Sequence, residues 1–212
     1  TGATGFVGKA VLRRLLAVEE SQCVVVAVRS GGQKWPVRVL PRVTGDLEPD
    51  TDWSVALGGI SLVVHCAARV HVMQEAGADP LEEFRQVNVQ GTLNLARQAA
   101  AASVRRFVFV SSIKVNGEAT QLGRQFTADD APAPLDAYGV SKMEAEQGLR
   151  EIARQTGMKV VIIRPPLVYG PGVKANFAAM MRWLKCGAPL PLGAIHSQRS
   201  LVALDNLVDL IV

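Results

Sequence analysis

Tyr138 and Lys142 stand four residues apart in the segment DAYGVSKMEAE. If that segment is helical, one turn carries both side chains on the same face. An ammonium held beside a phenol, whose ordinary pKa is near ~10, favours the phenolate and makes a poor base usable at neutral pH. Ser111 and Ser112 close the apolar run FVFVSS, and a hydroxyl there can bond a substrate alcohol whose proton Tyr138 takes. The chain opens on TGATGFVG, where Gly2 would make a turn, Gly5 would let the backbone approach a pyrophosphate and Gly8 would let a following helix pack tightly. Its spacing is G-x-x-G-x-x-G rather than the G-x-G-x-x-G of two-domain dehydrogenases. Each signal alone has a plainer reading: an exposed tyrosine beside a solvated lysine, serines at a strand end, a tight turn.

The elements that must carry these residues alternate. Residues 8 to 18 place Ala10, Val11, Leu15 and Val18 at helical spacing. CVVVAV and SLVVHCAA are continuous apolar runs of the kind covered on both faces, with a second short strand expected near Val37 to Leu40. A helix is expected over Pro80 to Ala102, with Leu81, Phe84, Val87, Leu93 and Leu95 inward. RRFVFVSS reads as a strand, Tyr138 to Gln155 as a helix closed by Gly157, and KVVIIRPP as a strand ended by its prolines. This order makes an α/β chain with a doubly wound parallel sheet, whose ligands sit at the carboxyl ends of the strands. The glycine loop at the very start should follow a first strand, and the chain stops inside the apolar LDNLVDLIV. The expectation is therefore a fragment lacking the first strand and the end of a C-terminal substrate region.

With 212 residues, 49% of them hydrophobic, the chain can bury a sizeable core. Its 23 Lys and Arg are scattered among 19 acids, without the stripe that nucleic-acid binding requires. Cys23, Cys66 and Cys186 are odd in number and set in mostly apolar sequence, which suggests buried, reduced thiols in a cytoplasmic protein. No apolar run approaches the ~20 residues that span a bilayer, and no metal-ligand spacing is evident.

Taken together, TGATGFVG, GDL at Gly45 to Leu47, HCAA at His65 to Ala68, NVQGT at Asn88 to Thr92, SSIKVNG, YGVSK and RPPLVYGPG resemble the extended short-chain dehydrogenase/reductases. Within them the chain is similar to the nucleotide-sugar epimerase/dehydratase family, along nearly its whole length. The resemblance implies a Rossmann-like cofactor domain over residues 1–164 and the start of a nucleotide-sugar region over 165–212. Gly2, Gly5, Phe6 and Gly8 would hold the pyrophosphate side of NAD or NADP, Asp46 and Leu47 would meet the adenine, and Ala67 and Ala68 would line the phosphate and nicotinamide side. Tyr138 resembles the catalytic base, Lys142 the residue that binds the nicotinamide ribose and lowers the tyrosine pKa, and Ser112 the hydroxyl that orients the sugar. Asn88 resembles the asparagine that steadies the site, although a mid-helix asparagine also fits a solvent-facing position. Asn176 and Arg199 resemble positions that hold the diphosphate of a nucleotide sugar, a task suited to a guanidinium. The resemblance also implies that the two long helices pair in a homodimer.

The departures narrow the reading. Family 4,6-dehydratases carry an Asp-Glu pair after the catalytic hydroxyl, where this chain has Ile113 and Lys114, so elimination loses its acid and base. An aromatic often found in that loop is Asn116. The expected acid at the end of the second strand is Arg29, followed by Ser30, and Arg29 would pair with the 2′-phosphate of NADP. The expectation is a nucleotide-sugar C4 epimerase acting on a UDP-hexose or UDP-N-acetylhexosamine. Its alternatives are an NADPH-dependent 4-keto-sugar reductase and, more remotely, a non-catalytic NAD(P)-binding protein.

Overall fold

The structure, a computed structural model, describes residues 1–18, 23–70, 79–121, 123–173, 175–187 and 198–212. Helix α1 (Phe6–Ala17) leads to strands β1 (Val24–Val28) and β2 (Val39–Val43), a short α2 (Ser54–Leu57) and β3 (Leu62–His65). A long helical segment follows, made of α3 (Pro80–Phe84), a π-helical stretch (Arg85–Gly91) and α4 (Thr92–Ala101). Then come β4 (Arg106–Val110), a 3-10 turn (Ile113–Val115), α5 (Ala137–Thr156), β5 (Lys159–Ile163), β6 (Leu167–Tyr169), α6 (Ala175–Lys185), β7 (Leu201–Ala203) and α7 (Leu204–Ile211).

All the pairings are parallel: β1 with β2, β3 with β4 with β5, and β6 with β7. Strand β4 is the hub because its alternate side chains are buried on opposite faces. Phe107 and Phe109, fully buried, pack with Leu95, Ala96, Ala99, Ala145 and Leu149 of α4 and α5. Val108 points the other way, into Ala10, Val11, Leu204, Leu207 and Val208 of α1 and α7. Strand periodicity thus produces helix layers on both sides of one sheet. Burying each phenylalanine contributes roughly 1.5–3 kcal/mol.

Local signals set the helix ends. The Asp136 carboxylate accepts from Gly139 N at 2.6 Å to start α5, and Gly157, at φ 76°, closes it. Asp79 accepts from Leu81 N and Glu82 N, with Pro80 in the first turn of α3.

Three expectations shift. Strand β2 begins at Val39 rather than Val37, because Val39 N bonds Pro36 O in a turn that leaves Val37 in solvent. In the long helical segment Phe84 and Leu95 are buried as expected, while Leu81, Val87 and Leu93 are only half-buried. The wider π turn advances the phase there and brings Asn88 and Thr92 inward. Cys23, next to β1, and Cys186, in the turn after α6, are exposed, and only Cys66 lies mostly within the fold.

Strands β1 and β3 share no ladder. Between them lies a cavity of about 360 Å³ lined by Val24 to Ala27, Leu62 to Val64, Leu12, Leu15, Trp53 and Leu57. Thr1 sits against the carboxyl end of β3, its nitrogen donating to Val64 O at 2.8 Å and its carbonyl accepting from Cys66 N at 3.3 Å. Among the described residues, the buried side-chain polar atom without a partner is Trp53 Nε1, in a residue on the cavity wall.

Candidate functional site

The glycine loop is packed backbone against backbone. Gly2 has φ 72°, a left-handed conformation, and a Cβ added there would lie 2.6 Å from Ala67 N. A Cβ on Gly8 would fall 2.1 Å from Gly2 O, so α1 rests directly on the turn. Gly5 N donates to Gly2 O at 2.9 Å, and no side chain caps the start of α1 at Gly5. The first amides of this helix therefore remain to be satisfied by solvent or an anion. Phe6, the first residue of α1, is half-buried against the α1–α7 layer.

Next to the loop, at the end of β3, His65 is fully buried. Its Nδ1 lies 2.7 Å from Thr1 Oγ1 and its Nε2 3.0 Å from Thr92 Oγ1, and its ring stacks on Phe109 at 5.8 Å. Burial, with the positive charge of Lys142, holds this imidazole well below its ordinary pKa. The π-helical stretch reaches the loop at Asp46 and Leu47 as well. A Cβ on Gly91 would meet Leu47 O at 2.8 Å, which seats the Asp46–Leu47 loop against the helix. Asp46 faces Arg29 across 3.7 Å, both side chains well exposed.

The catalytic candidates sit on α5 and at the end of β4. Tyr138, in the first turn of α5, meets the Phe84 ring edge-on at 6.0 Å between centroids. Burial, and secondarily Asp136, pushes its phenol up to about 12. Lys142 is 1% exposed, with Nζ 4.0 Å from the centre of the Phe109 ring. Burial drives its ammonium down to about 7, against the opposing influence of Cys66 and Glu146. In this geometry desolvation dominates both groups, rather than the lysine-assisted phenolate that the sequence suggests. Ser112 follows β4, and its Oγ accepts from Lys114 N at 3.3 Å, leaving the hydroxyl proton to donate elsewhere.

Asn88 is buried rather than solvent-facing. Its Nδ2 donates to Arg69 O and to Ser141 Oγ, both at 3.0 Å, and its Oδ1 accepts from Arg69 N at 2.8 Å. Ser141 Oγ in turn donates to Tyr138 O. One amide thus ties the chain just after Ala67 and Ala68 to the first turn of α5. Lys114, in the place of a dehydratase acid, is ion-paired to Asp136 and helps hold the start of that helix.

The structure brings together Gly2, Gly8 and Ala67, then Asn88 with the Tyr138 turn, and Arg29 with Asp46. No contact among the described residues joins Arg199 to this group. Arg199 is exposed in the extended stretch before β7, with no hydrogen bond or ion pair among the described residues. Asn176 lies in α6, and its side chain is outside the described residues.

Sequence reasoning missed Glu146 and Arg164. Glu146 is 2% exposed, and the Arg164 side chain is 10% exposed. The available signal was spacing: Glu146 lies four residues beyond Lys142 on the same helix face. Among the described residues no helix is long and apolar enough to cross a membrane.

Known proteins resemble the chain along its whole length. It is 50% identical over 213 residues to UDP-glucose 4-epimerase of Vibrio cholerae, an alignment covering 100% of this chain and 64% of that protein. The chain therefore spans less than two thirds of that relative's length. It is 30% identical over 178 residues to GDP-6-deoxy-D-mannose reductase of Pseudomonas aeruginosa, covering 84% and 54% of the two chains. A crystal structure of a double mutant of DesIV, a dTDP-glucose 4,6-dehydratase of Streptomyces venezuelae with NAD bound, superposes with a TM-score of 0.81 at 28% identity. That superposition covers 99% of this chain and 69% of the other. The family model described as NAD dependent epimerase/dehydratase matches residues 1–212. With a glycine loop seated on the end of β3 and a Tyr-Lys helix beside it, the chain belongs to the NAD dependent epimerase/dehydratase family.

Proposed function

We propose that this chain carries the cofactor-binding and catalytic part of a nucleotide-sugar C4 epimerase acting on a UDP-hexose or UDP-N-acetylhexosamine. The observation that carries the reading is the seating of Gly2 on Cys66 and Ala67 at the end of β3, with buried Lys142 facing Cys66 from α5 and Ser112 following the adjacent strand β4. The 50% identity to a UDP-glucose 4-epimerase supports the substrate class.

The residues fit a dinucleotide. Gly2 and Gly8 leave no room for a Cβ, and the uncapped start of α1 offers amides and a positive dipole end to a pyrophosphate. Gly2, Gly5, Phe6, Gly8, Ala67 and Ala68 would hold that side, Arg29, Asp46 and Leu47 the adenosine, and Lys142 the nicotinamide ribose, with Asn88 steadying the loop. When bound, NAD(P) supplies a reversible hydride acceptor. Tyr138 takes the proton of the sugar C4 hydroxyl and later returns it, and Ser112 bonds the same oxygen and sets its direction. Lys142, one turn beyond Tyr138 on the same helix, would as an ammonium favour the phenolate against the desolvation that raises Tyr138. Asn176 and Arg199 would meet the substrate diphosphate. Residues 1–164 would form the cofactor and catalytic unit and 165–212 the start of the sugar-binding region, in a cytoplasmic homodimer.

A second reading, an NADPH-dependent 4-keto-sugar reductase, is favoured by Arg29 at the end of β1, where an acid would select against a 2′-phosphate. The two chemistries separate cleanly. An epimerase keeps its cofactor through the cycle, whereas a reductase releases oxidised cofactor every turnover. Full-length protein incubated with UDP-N-acetylglucosamine and no added cofactor should form the galacto isomer at a steady rate. No isomer, together with stoichiometric NADPH consumption on a UDP-4-keto-6-deoxy sugar, assigns the reductase instead. Neither reaction, with NAD(P) still bound, leaves a binding protein.

A further inference from the structure

Glu146 lies one helical turn beyond Lys142, out of solvent. Its Oε1 accepts from Ser111 Oγ at 2.6 Å and from Arg164 Nε at 2.9 Å, and its Oε2 accepts from Arg164 Nη2 at 2.5 Å. Arg164 sends its other arm, Nη1, to Asn116 Oδ1 at 3.0 Å, and buried Asn116 donates Nδ2 to Thr127 O at 2.9 Å. Arg150, exposed on the next turn, approaches Glu146 only to 3.7 Å. A single carboxylate therefore joins α5, the residue before Ser112, the end of β5 and the stretch between Ser112 and Thr127.

Two ions taken out of water are costly, and an apolar pair of similar volume would hold these elements together as well. An apolar pair could not fix direction as a forked guanidinium-carboxylate contact does, nor place a negative charge one turn from Lys142. Lys142 is faced by His65 and Cys66 from the end of β3, by the Phe109 ring from β4 and by Glu146 on its own helix. The Cys66 thiol first and Glu146 second are the neighbours that favour the charged lysine, and burial pushes that thiol up, toward its neutral form. Glu146 is thus the carboxylate among these neighbours. It lies two turns from Tyr138, so its charge reaches the phenol through the lysine.

We propose that Glu146 and Arg164 are positioning residues for the reaction: their fork sets Ser112 and Lys142 in register, and the Glu146 charge keeps Lys142 cationic. The inference rests on the assignment of Ser112, Tyr138 and Lys142 to the chemistry.

The test uses full-length protein with its cofactor. Glu146→Gln keeps the shape and removes the charge. A less cationic lysine leaves the phenol harder to ionise, so the acid limb of the kcat profile moves up by about one pH unit. The rate below that limb then falls about tenfold, with KM little changed. Glu146→Asp, which restores the charge, returns the limb to its original pH. A folded Glu146→Gln protein with the wild-type limb overturns the proposal, as does wild-type kcat in the apolar double variant Glu146→Leu/Arg164→Met. If Glu146→Gln does not fold, Arg164→Lys and Glu146→Asp keep both charges and alter the fork. Reduced kcat at an unmoved limb is then expected, and wild-type kcat in both is the overturning result. The Tyr138 phenolate, followed by ultraviolet difference against Tyr138→Phe, titrates without turnover. Its upward move in Glu146→Gln distinguishes a failure of this proposal from a failure of the sugar assignment.

Discussion

At the glycine loop, shape is set by what the side chains lack: Gly8 lies so close to Gly2 O that a single carbon cannot be added, and Gly2 is seated on Ala67 N in the same way. Along α5 it is set by side chains with charge, Lys142 and Glu146 of the helix with Arg164 beside them, held out of water. The first region should respond to volume and barely to pH, and the second to protonation. Mutations in the two should therefore fail differently, one by steric loss of the binding surface and the other by loss of rate in an intact fold.

The largest expected effect lies on the helix. Tyr138→Phe keeps the ring packed on Phe84 and removes only the proton acceptor, so turnover should fall at least ~100-fold while cofactor binding persists. Steady-state rates beside cofactor titration check this, and near-normal turnover would remove Tyr138 from the chemistry. Next in size is Gly8→Ala, which overpacks backbone against backbone and should cost about 1–3 kcal/mol of stability together with cofactor affinity. Chemical denaturation and cofactor binding measure both losses, and unchanged binding would mean that the loop has room to yield. The smallest belongs to the solvent-facing edge of the nucleotide site. Arg29→Asp should weaken NADP(H) more than NAD(H), by about fivefold, because exposed charges contribute no more than ~1 kcal/mol. Equal losses for the two cofactors would assign Arg29 to its contact with Asp46 alone.

Much of this division was legible in the sequence because it rests on short-range rules. The spacing of Gly2, Gly5 and Gly8 announced a close-packed turn before a helix, and Tyr138 and Lys142 at i and i+4 announced a shared face. Burial of Phe107, Val108 and Phe109 on both faces of the sheet fits a run with no polar interruption. What escaped depends on partners far apart in the chain. Nothing local in Arg164 indicates that it will meet Glu146 and Asn116, which lie 18 and 48 residues away. The same holds for Asn88, whose burial follows from one extra residue in a helical turn, a phase change that a 3.6-residue period cannot show. Tyr138 and Lys142 were placed correctly in the helix, but their ionisation was expected from proximity alone and in this structure follows burial.

The central place of β4 has a consequence for how the chain opens. Its backbone is bonded on both sides, to β3 and to β5, and its side chains are buried in both helix layers. Elements with many buried apolar contacts open only with the whole molecule, while those facing solvent open at a lower free energy. In hydrogen exchange the amides of β2, four of whose five residues are exposed, should therefore lose protection before those of β4.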